Sequence, residues 1–174
     1  MRLAGELRMR IAVGLPVAEA RTAWSENAAD CLDKAAALWD ACKTDPWAHL
    51  YFAPHAPYSV ADATLRRLRR MADQLDAPVA MHLHETAGEL RDFQAAQGQR
   101  PSAWLAGHGL LRPGFTAIHA NHFDAGDIEL AVRAGISVVH CPASNLRLGS
   151  GVAPLPELLA RGVNVALGTD GAAS

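Results

Sequence analysis

The segment PVAMHLHE at residues 78–85 runs from a short apolar stretch directly into two histidines and an acid. Similar apolar runs recur along the chain, each followed by an amphipathic stretch, and this alternation is typical of βαβ units with a parallel sheet. The pattern predicts six strands, at residues 9–15, 48–53, 78–83, 115–120, 136–141 and 163–169. Several are nearly continuous in apolar character, as expected of parallel strands that are covered by helices.

An open doubly wound sheet and a closed barrel would both produce this alternation. The first strand of a dinucleotide fold is followed by a glycine-rich phosphate-binding sequence, and no such sequence follows Leu15. Histidines and acids stand instead at the carboxyl ends of several strands, where an eight-stranded barrel gathers its catalytic groups. We therefore expect an α/β fold, an incomplete (β/α)8 TIM-type barrel with about strands three to eight. Residues 1–174 are expected to form one partial barrel domain that lacks the strand-one segment and the C-terminal end.

The composition excludes several classes of partner. The formal net charge is -2, and the charged residues are scattered without blocks, so nucleic-acid and membrane partners are not expected. Cys31, Cys42 and Cys141 lie far apart, which argues against a disulfide framework, and no apolar run is long enough to span a membrane. We expect a cytoplasmic protein with a small-molecule partner, and association into a homo-oligomer is left open.

Local signals predict where helices begin. Ser25 and Ser59 can each accept a hydrogen bond from a free backbone N–H at a helix start. Asp124, with Asp127 three residues later, forms a similar start signal. We therefore expect helices to begin after Ser25, Ser59 and Asp124.

Candidate chemistry lies where strands run into their loops. His55, the cluster at residues 82–85, His119 and Asp170 all occupy such positions. Imidazole and carboxylate groups suit Zn²⁺ or another borderline divalent ion, which lowers the pKa of a bound water toward about 7. The set predicts a metal-dependent hydrolase without an organic cofactor.

A specific resemblance covers about two thirds of the chain, from Tyr51 to the end. Five motifs in fixed order carry it: APHAPYS (53–59), MHLHETAGEL (81–90), IHANHF (118–123), HCPASNLRLGSG (140–151) and GVNVALGTDGAAS (162–174). The chain resembles the 5-methylthioadenosine/S-adenosylhomocysteine deaminases of the amidohydrolase superfamily, in its triazine hydrolase-like branch. The resemblance implies a TIM barrel and hydrolysis of a carbon–nitrogen bond other than a peptide bond.

The resemblance also implies catalytic and metal-binding roles. His82 and Asp170 match metal ligands, with zinc the expected ion and Fe²⁺, Mn²⁺ or Ni²⁺ as alternatives. Glu85 matches the acid that contacts the purine and shuttles protons, and His119 matches a histidine that faces the scissile carbon. A metal-activated water would attack C6 of the adenine ring, Asp170 would accept its proton, and ammonia would leave.

Substrate contacts are implied at four positions: His55, Glu85, Asn145 and Asp170. The expected substrates are 5'-methylthioadenosine, S-adenosylhomocysteine or adenosine, each converted to the inosine product. Guanine, cytosine or triazine deamination is the alternative within the superfamily, and a non-catalytic truncated barrel fragment is the alternative outside it.

The chain also departs from the family pattern. The family carries an HxH pair of metal ligands on its first strand, and no histidine precedes His49 here. We therefore expect isolated residues 1–174 to bind metal poorly and to be inactive. His82 with His84 could instead be that HxH pair, because alternate residues of a strand point to the same side.

Other polar residues have structural interpretations. His140 and Cys141 could be metal ligands, but the PASN sequence at residues 142–145 is typical of a turn that shapes the substrate pocket. Glu89 is expected on the exposed side of the helix that follows Glu85.

Overall fold

The computed structural model describes residues 2–171, in which helices and strands alternate. Their order is α1 (Arg2–Glu6), β1 (Ile11–Val17), α2 (Ala28–Cys42), β2 (Ala48–Pro54), a 3₁₀ turn (Pro57–Ser59), α3 (Asp62–Gln74), β3 (Val79–Leu83), α4 (Ala87–Gln97), α5 (Pro101–Gly107), β4 (Phe115–His119), α6 (Ala125–Ala134), β5 (Ser137–His140), α7 (Pro142–Leu148), α8 (Leu155–Ala160) and β6 (Asn164–Leu167).

The six strands belong to one sheet, with neighbours in the order of the sequence. The β1–β2, β2–β3, β4–β5 and β5–β6 pairs are parallel. The predicted α/β class with a parallel sheet is confirmed. Strand β1 starts and ends two residues later than predicted and so includes Pro16, and β6 ends two residues earlier than predicted. Because β1 lies at the edge of the sheet, the missing N–H of Pro16 does not interrupt a ladder on both sides.

Contacts divide the chain into two compact units. The first holds the residues up to His55 together with 59–80, and it contains β1, β2, α2 and α3. Its core is built from large apolar side chains that the helices and strands bury: Leu15, Leu32, Phe52, Leu65 and Leu68.

The second unit holds residues 56–58 and those from Met81 onward, including the end of β3 and all of β4, β5 and β6. Its core includes Met81, Leu83, Phe115, Val138 and Leu158. Burial alternates along β3 and β4, so that every second side chain faces the core. The candidate site residues lie within this unit, except for His55, which lies in the first unit.

Two of the predicted helix starts are wrong, and one is confirmed. Asn27, not Ser25, caps α2, because the Ser25 hydroxyl already bonds Thr22 and Cys31. The hydroxyl of Ser59 bonds His55, and α3 begins after Ala61 without a side-chain cap. Helix α6 has the predicted capping box, in which the side chains of Asp124 and Asp127 each accept the other's backbone N–H.

The predicted turn at residues 142–145 is also wrong. These residues form the first turn of α7, which begins at Pro142. Proline is compatible with this position because its fixed φ suits a helix and its missing N–H would have no partner in the helix. The correction matters because the turn places Ser144 and Asn145 beside the candidate site.

The cysteines and the lengths of the helices bear on two predictions made from the composition. Cys31, Cys42 and Cys141 are buried free thiols, as expected. Among residues 2–171, no helix has the length and apolar character that crossing a membrane requires.

Candidate metal centre and active site

Four predicted site residues converge in the second unit. The Nε2 atom of His119 lies 3.7 Å from Glu85 Oε2 and 3.8 Å from Asp170 Oδ2. The ring of His82 stacks on the ring of His119, with their centroids 5.4 Å apart. We call His82, Glu85, His119 and Asp170 the acid–histidine corner; the structure brings together all four residues that were predicted to bind metal or react.

The strands explain this convergence. His82 lies in β3 and alternates with the buried side chains of Met81 and Leu83, while His119 is the last residue of β4. Asp170 follows β6 by three residues. Because neighbouring parallel strands have their carboxyl ends at the same edge of a sheet, residues at these positions can meet.

Asp170 is held as a carboxylate. Its Oδ2 accepts a hydrogen bond from Ser144 Oγ at 2.7 Å, and its Oδ1 accepts one from the Gly171 N–H at 2.7 Å. The hydrogen bond from Ser144 is the largest influence and lowers the pKa of Asp170, against the effect of burial, and the nearby imidazoles of His119 and His82 lower it further. Asp170 is therefore available as an anionic ligand or a proton acceptor at neutral pH.

Backbone strain is concentrated around the corner. His84, His119, Ala120 and Asp170 all have positive φ, between 53° and 75°, a region that non-glycine residues seldom occupy. Such conformations persist where the surrounding structure over-determines them, and they are often found at functional sites. Here they turn the chain at the ends of β3 and β4 and beyond β6.

The donor set of this region fits a divalent cation. One ligand atom each from His119, Cys141 and Asp170 lies within 4.8 Å of the others. Nitrogen, carboxylate oxygen and sulfur donors suit Zn²⁺ and similar borderline ions. His82 and Asp170, the predicted metal ligands, lie in the same corner, and their ligand roles stay predictions.

From the sequence, the segment after Cys141 was expected to shape the substrate pocket, and a ligand role for Cys141 was the less favoured alternative. In the structure, its sulfur belongs to this donor set. Burial, followed by the charges of Asp170 and Glu85, raises the pKa of the Cys141 thiol. The signal available in the sequence was its position directly after β5, the strand between those of His119 and Asp170. His140 is also buried, and burial lowers its pKa.

The environment of His84 differs from that of His82. Its ring is fully buried; Nε2 accepts a hydrogen bond from the Ser102 N–H at 3.2 Å, and Nδ1 lies 3.7 Å from Asp127 Oδ2. Arg100 pairs with Asp127 through both Nε and Nη2. We call His84, Arg100, Ser102 and Asp127 the buried ion cluster, and it occupies the nitrogen atoms that His84 would need as part of an HxH metal pair.

The prediction that Glu89 lies on the exposed side of its helix is wrong. The residue is half-buried in the first turn of α4, and among the described atoms its Oε1 is buried without a hydrogen-bond partner. Burial is the main cause that raises its pKa to about 7, and the charge of Glu85 adds to the effect.

Two predicted substrate contacts have different surroundings. His55 lies in the first unit, where it is exposed and its Nδ1 is 3.0 Å from Ser59 Oγ. Asn145 is buried, and its amide bonds His119 and Asn121. Contact of either residue with substrate stays a prediction.

Comparison with known proteins identifies the family. The model described as the amidohydrolase family matches residues 4–174. The chain belongs to the amidohydrolase family. A curated amidohydrolase relative from Teredinibacter turnerae, named 5-methylthioadenosine/S-adenosylhomocysteine deaminase, is 43% identical over 166 residues, which are 95% of this chain and 38% of that protein. A 5'-deoxyadenosine deaminase from Methanopyrus kandleri is 41% identical over 121 residues, 70% of this chain and 28% of that protein.

Solved structures confirm the amidohydrolase fold. An adenosine deaminase from Xanthomonas campestris with bound zinc matches with a TM-score of 0.96 and 43% identity, over 99% of this chain and 39% of that one. A guanine deaminase from C. acetobutylicum matches with a TM-score of 0.88 at 24% identity, over 97% of this chain and 42% of that one, which shows a shared fold alone. The predicted partial amidohydrolase barrel is thus confirmed, and the chain spans about two fifths of the length of these relatives.

Proposed function

We propose that this protein is a metal-dependent deaminase of adenine nucleosides, a hydrolase of carbon–nitrogen bonds other than peptide bonds. The substrate would be 5'-methylthioadenosine, S-adenosylhomocysteine or adenosine, and the products the corresponding inosine compound and ammonia. The observation that carries the proposal is the acid–histidine corner, where His119 Nε2 faces the carboxylates of Glu85 and Asp170 at 3.7 and 3.8 Å. The adenine-nucleoside names of relatives at 40–45% identity support the substrate class.

His82 and Asp170 would hold the divalent cation, and we propose zinc because the solved relative has zinc bound. A cation bound there would make an activated water available at neutral pH. The lowered pKa of Asp170 means that its carboxylate is already ionised, so it can bind a cation or take a proton from water.

Glu85 would transfer a proton to the purine ring while the amino group at C6 is replaced by oxygen. Its carboxylate is partly exposed, with 23% of the side chain accessible, so it can reach a substrate from the wall of the site. His119 is almost fully buried and faces both acids, which suits it to orient the attacking water or stabilise developing charge. His55 and Asn145 are the further residues proposed to contact the nucleoside.

The proposal is tested by ammonia release with the protein expressed from its complete gene. S-adenosylhomocysteine, 5'-methylthioadenosine, adenosine and guanine are assayed in parallel, and bound metal is measured by mass spectrometry. We expect ammonia from at least one adenine nucleoside, and at least about a 10³-fold loss in Asp170→Asn, because that change removes an anionic ligand and proton acceptor.

The matched control is Asp92→Asn, which removes an exposed carboxylate of α4 in the same unit. It should retain the activity of the unmodified protein. Turnover of guanine alone would replace the adenine-nucleoside proposal with the guanine alternative. Absence of turnover of all four compounds by folded, metal-loaded protein would contradict the proposed function.

A further inference from the structure

The two ring nitrogens of His119 face different environments. Nδ1 lies 2.9 Å from the side-chain oxygen of Asn145, on the buried side of the ring. Nε2 faces the carboxylates of Glu85 and Asp170. Because one nitrogen of a neutral imidazole carries a proton and the other a lone pair, the direction of the Asn145 contact decides which atom faces the acids.

A chain of hydrogen bonds determines that direction. The backbone carbonyl of Glu85 can only accept, so the side-chain atom of Asn121 that lies 3.0 Å from it must be the amide nitrogen. The oxygen of Asn121 then faces the Asn145 side chain at 2.6 Å, and the Asn145 atom at that contact must be a donor. Asn145 therefore uses its NH₂ toward Asn121 and turns its oxygen toward His119.

We propose that Asn145, oriented through Asn121 by the Glu85 carbonyl, is a positioning residue that holds the proton of His119 on Nδ1. Nε2 is then presented as a lone pair toward Glu85 and Asp170, where it can bind a cation or accept a proton. The opposite amide orientation would place two donors or two acceptors against one another at both contacts of Asn121.

The burial of the relay supports this role. Asn145 is 1% exposed and Asn121 is 6% exposed, so water does not compete for their amide groups. The first turn of α7 also carries Ser144, whose hydroxyl bonds Asp170. One helical turn thus supports two members of the acid–histidine corner, as residues around a metal site commonly do for its ligands.

This inference deepens the proposed function, because it gives Asn145 an action through His119 rather than on the substrate. It rests on that proposal for its effect on turnover, but the position of the proton can be measured without any reaction. Failure of one is therefore distinguishable from failure of the other.

The measurement is long-range ¹H–¹⁵N correlation NMR of the complete protein with ¹⁵N-labelled histidine. The two signals of His119 are assigned by their disappearance in His119→Gln. We expect a protonated Nδ1 and an Nε2 that is bare or metal-bound. A bare Nδ1, or protons on both nitrogens, would overturn the proposal.

Variants separate the relay from general packing. Asn145→Leu has a similar shape without hydrogen bonds, so the proton should move at least partly to Nε2, and turnover should fall about tenfold to hundredfold. Asn145→Asp keeps an acceptor toward His119, so the proton should stay on Nδ1 although the aspartate can no longer donate to the Asn121 oxygen. Asn164→Leu, which removes an exposed asparagine that bonds Ser137, should leave the His119 signals unchanged.

An unchanged His119 proton in folded Asn145→Leu would contradict the positioning role. If Asn145→Leu does not fold, the unmodified protein and Asn145→Asp still decide the question. A protonated Nδ1 in both supports the action of residue 145 on His119, and a bare Nδ1 in Asn145→Asp overturns it.

Discussion

Two polar clusters at the ends of β3 and β4 are built from the same kinds of residue but are organised differently. The buried ion cluster pairs Asp127 with Arg100 and Ser102 and gives His84 a hydrogen bond from the Ser102 N–H. The acid–histidine corner instead sets two carboxylates against the Nε2 atom of His119 at 3.7 and 3.8 Å. His82 and His84, two residues apart, contribute to different clusters.

The difference teaches that the balance of donors and acceptors, rather than residue type, separates structural from chemical clusters here. A buried charge is tolerated when it is paired and hydrogen-bonded, as Asp127 is. The corner has acceptors to spare and is partly open, so it can take up a cation or a proton. Disrupting the first cluster should affect folding, and disrupting the second should affect turnover.

In this comparison, Glu85→Gln is expected to have the largest effect. Loss of the group proposed to transfer a proton should lower kcat about 10² to 10⁴-fold, while the free energy of unfolding should change by less than about 1 kcal/mol. Steady-state kinetics and urea denaturation measure the two quantities. The control Glu129→Gln breaks an exposed ion pair with Arg161 and should change neither much. If Glu85→Gln were destabilised but kept a normal kcat, Glu85 would contribute to folding rather than to turnover.

Asp127→Asn should have the opposite signature. Removing the charge leaves Arg100 without its buried partner, so the free energy of unfolding should fall by about 3 to 5 kcal/mol. Urea denaturation at pH 7 measures this loss. The comparison variant is Asp124→Asn, which removes the half-exposed carboxylate 3.2 Å from Arg100 Nε but keeps the cap, because asparagine caps a helix as well as aspartate does; it should lose less stability. Equal stability of the two variants would show that the buried carboxylate of Asp127 stabilises this region no more than the half-exposed one of Asp124.

Acid should weaken the buried ion cluster through His84. Burial lowers the pKa of His84 from 6.5 to about 4, so between these values the unfolded chain binds more protons than the folded one. Stability from this group is complete above pH 6.5 and is lost as the pH falls toward 4, by at most about 3 kcal/mol. When the free energy of unfolding is measured by urea denaturation from pH 7 to 4.5, it should fall less steeply with pH in His84→Gln than in the unmodified protein. The exposed-site control His49→Gln should keep the original slope, and an unchanged slope in His84→Gln would refute the assignment.

The smallest effect concerns Glu89 beside the corner. Burial raises its pKa from 4.5 to about 7, so the folded chain binds more protons in that window and stability is lost as the pH rises through it. Glu89→Gln should therefore be more stable than the unmodified protein at pH 8, by about 1 kcal/mol after solvent screening, and the difference should vanish near pH 4.5. Thermal unfolding at both pH values tests this. Glu157→Gln, an exposed first-turn glutamate of α8, should show no such difference.

Local sequence patterns predicted most of the fold. The apolar runs located six strands, and the capping box of Asp124 and Asp127 located the start of α6, because such features depend on neighbouring residues alone. Ser25 and Ser59 failed as caps because their hydroxyls bond other side chains. The environment of Glu89 was also missed, since its burial depends on how α4 is packed.

Sequence by itself determined that histidines and acids would stand at strand ends, and motif order determined the amidohydrolase family. The tertiary structure alone decided that His82 joins His119 while His84 joins Asp127. It also decided that Asn145 turns its oxygen toward His119. The physical reason is that the spacing along a strand determines on which side of the sheet a residue lies. Its hydrogen-bond partners come from residues distant in sequence, and these depend on how donors and acceptors are matched in space.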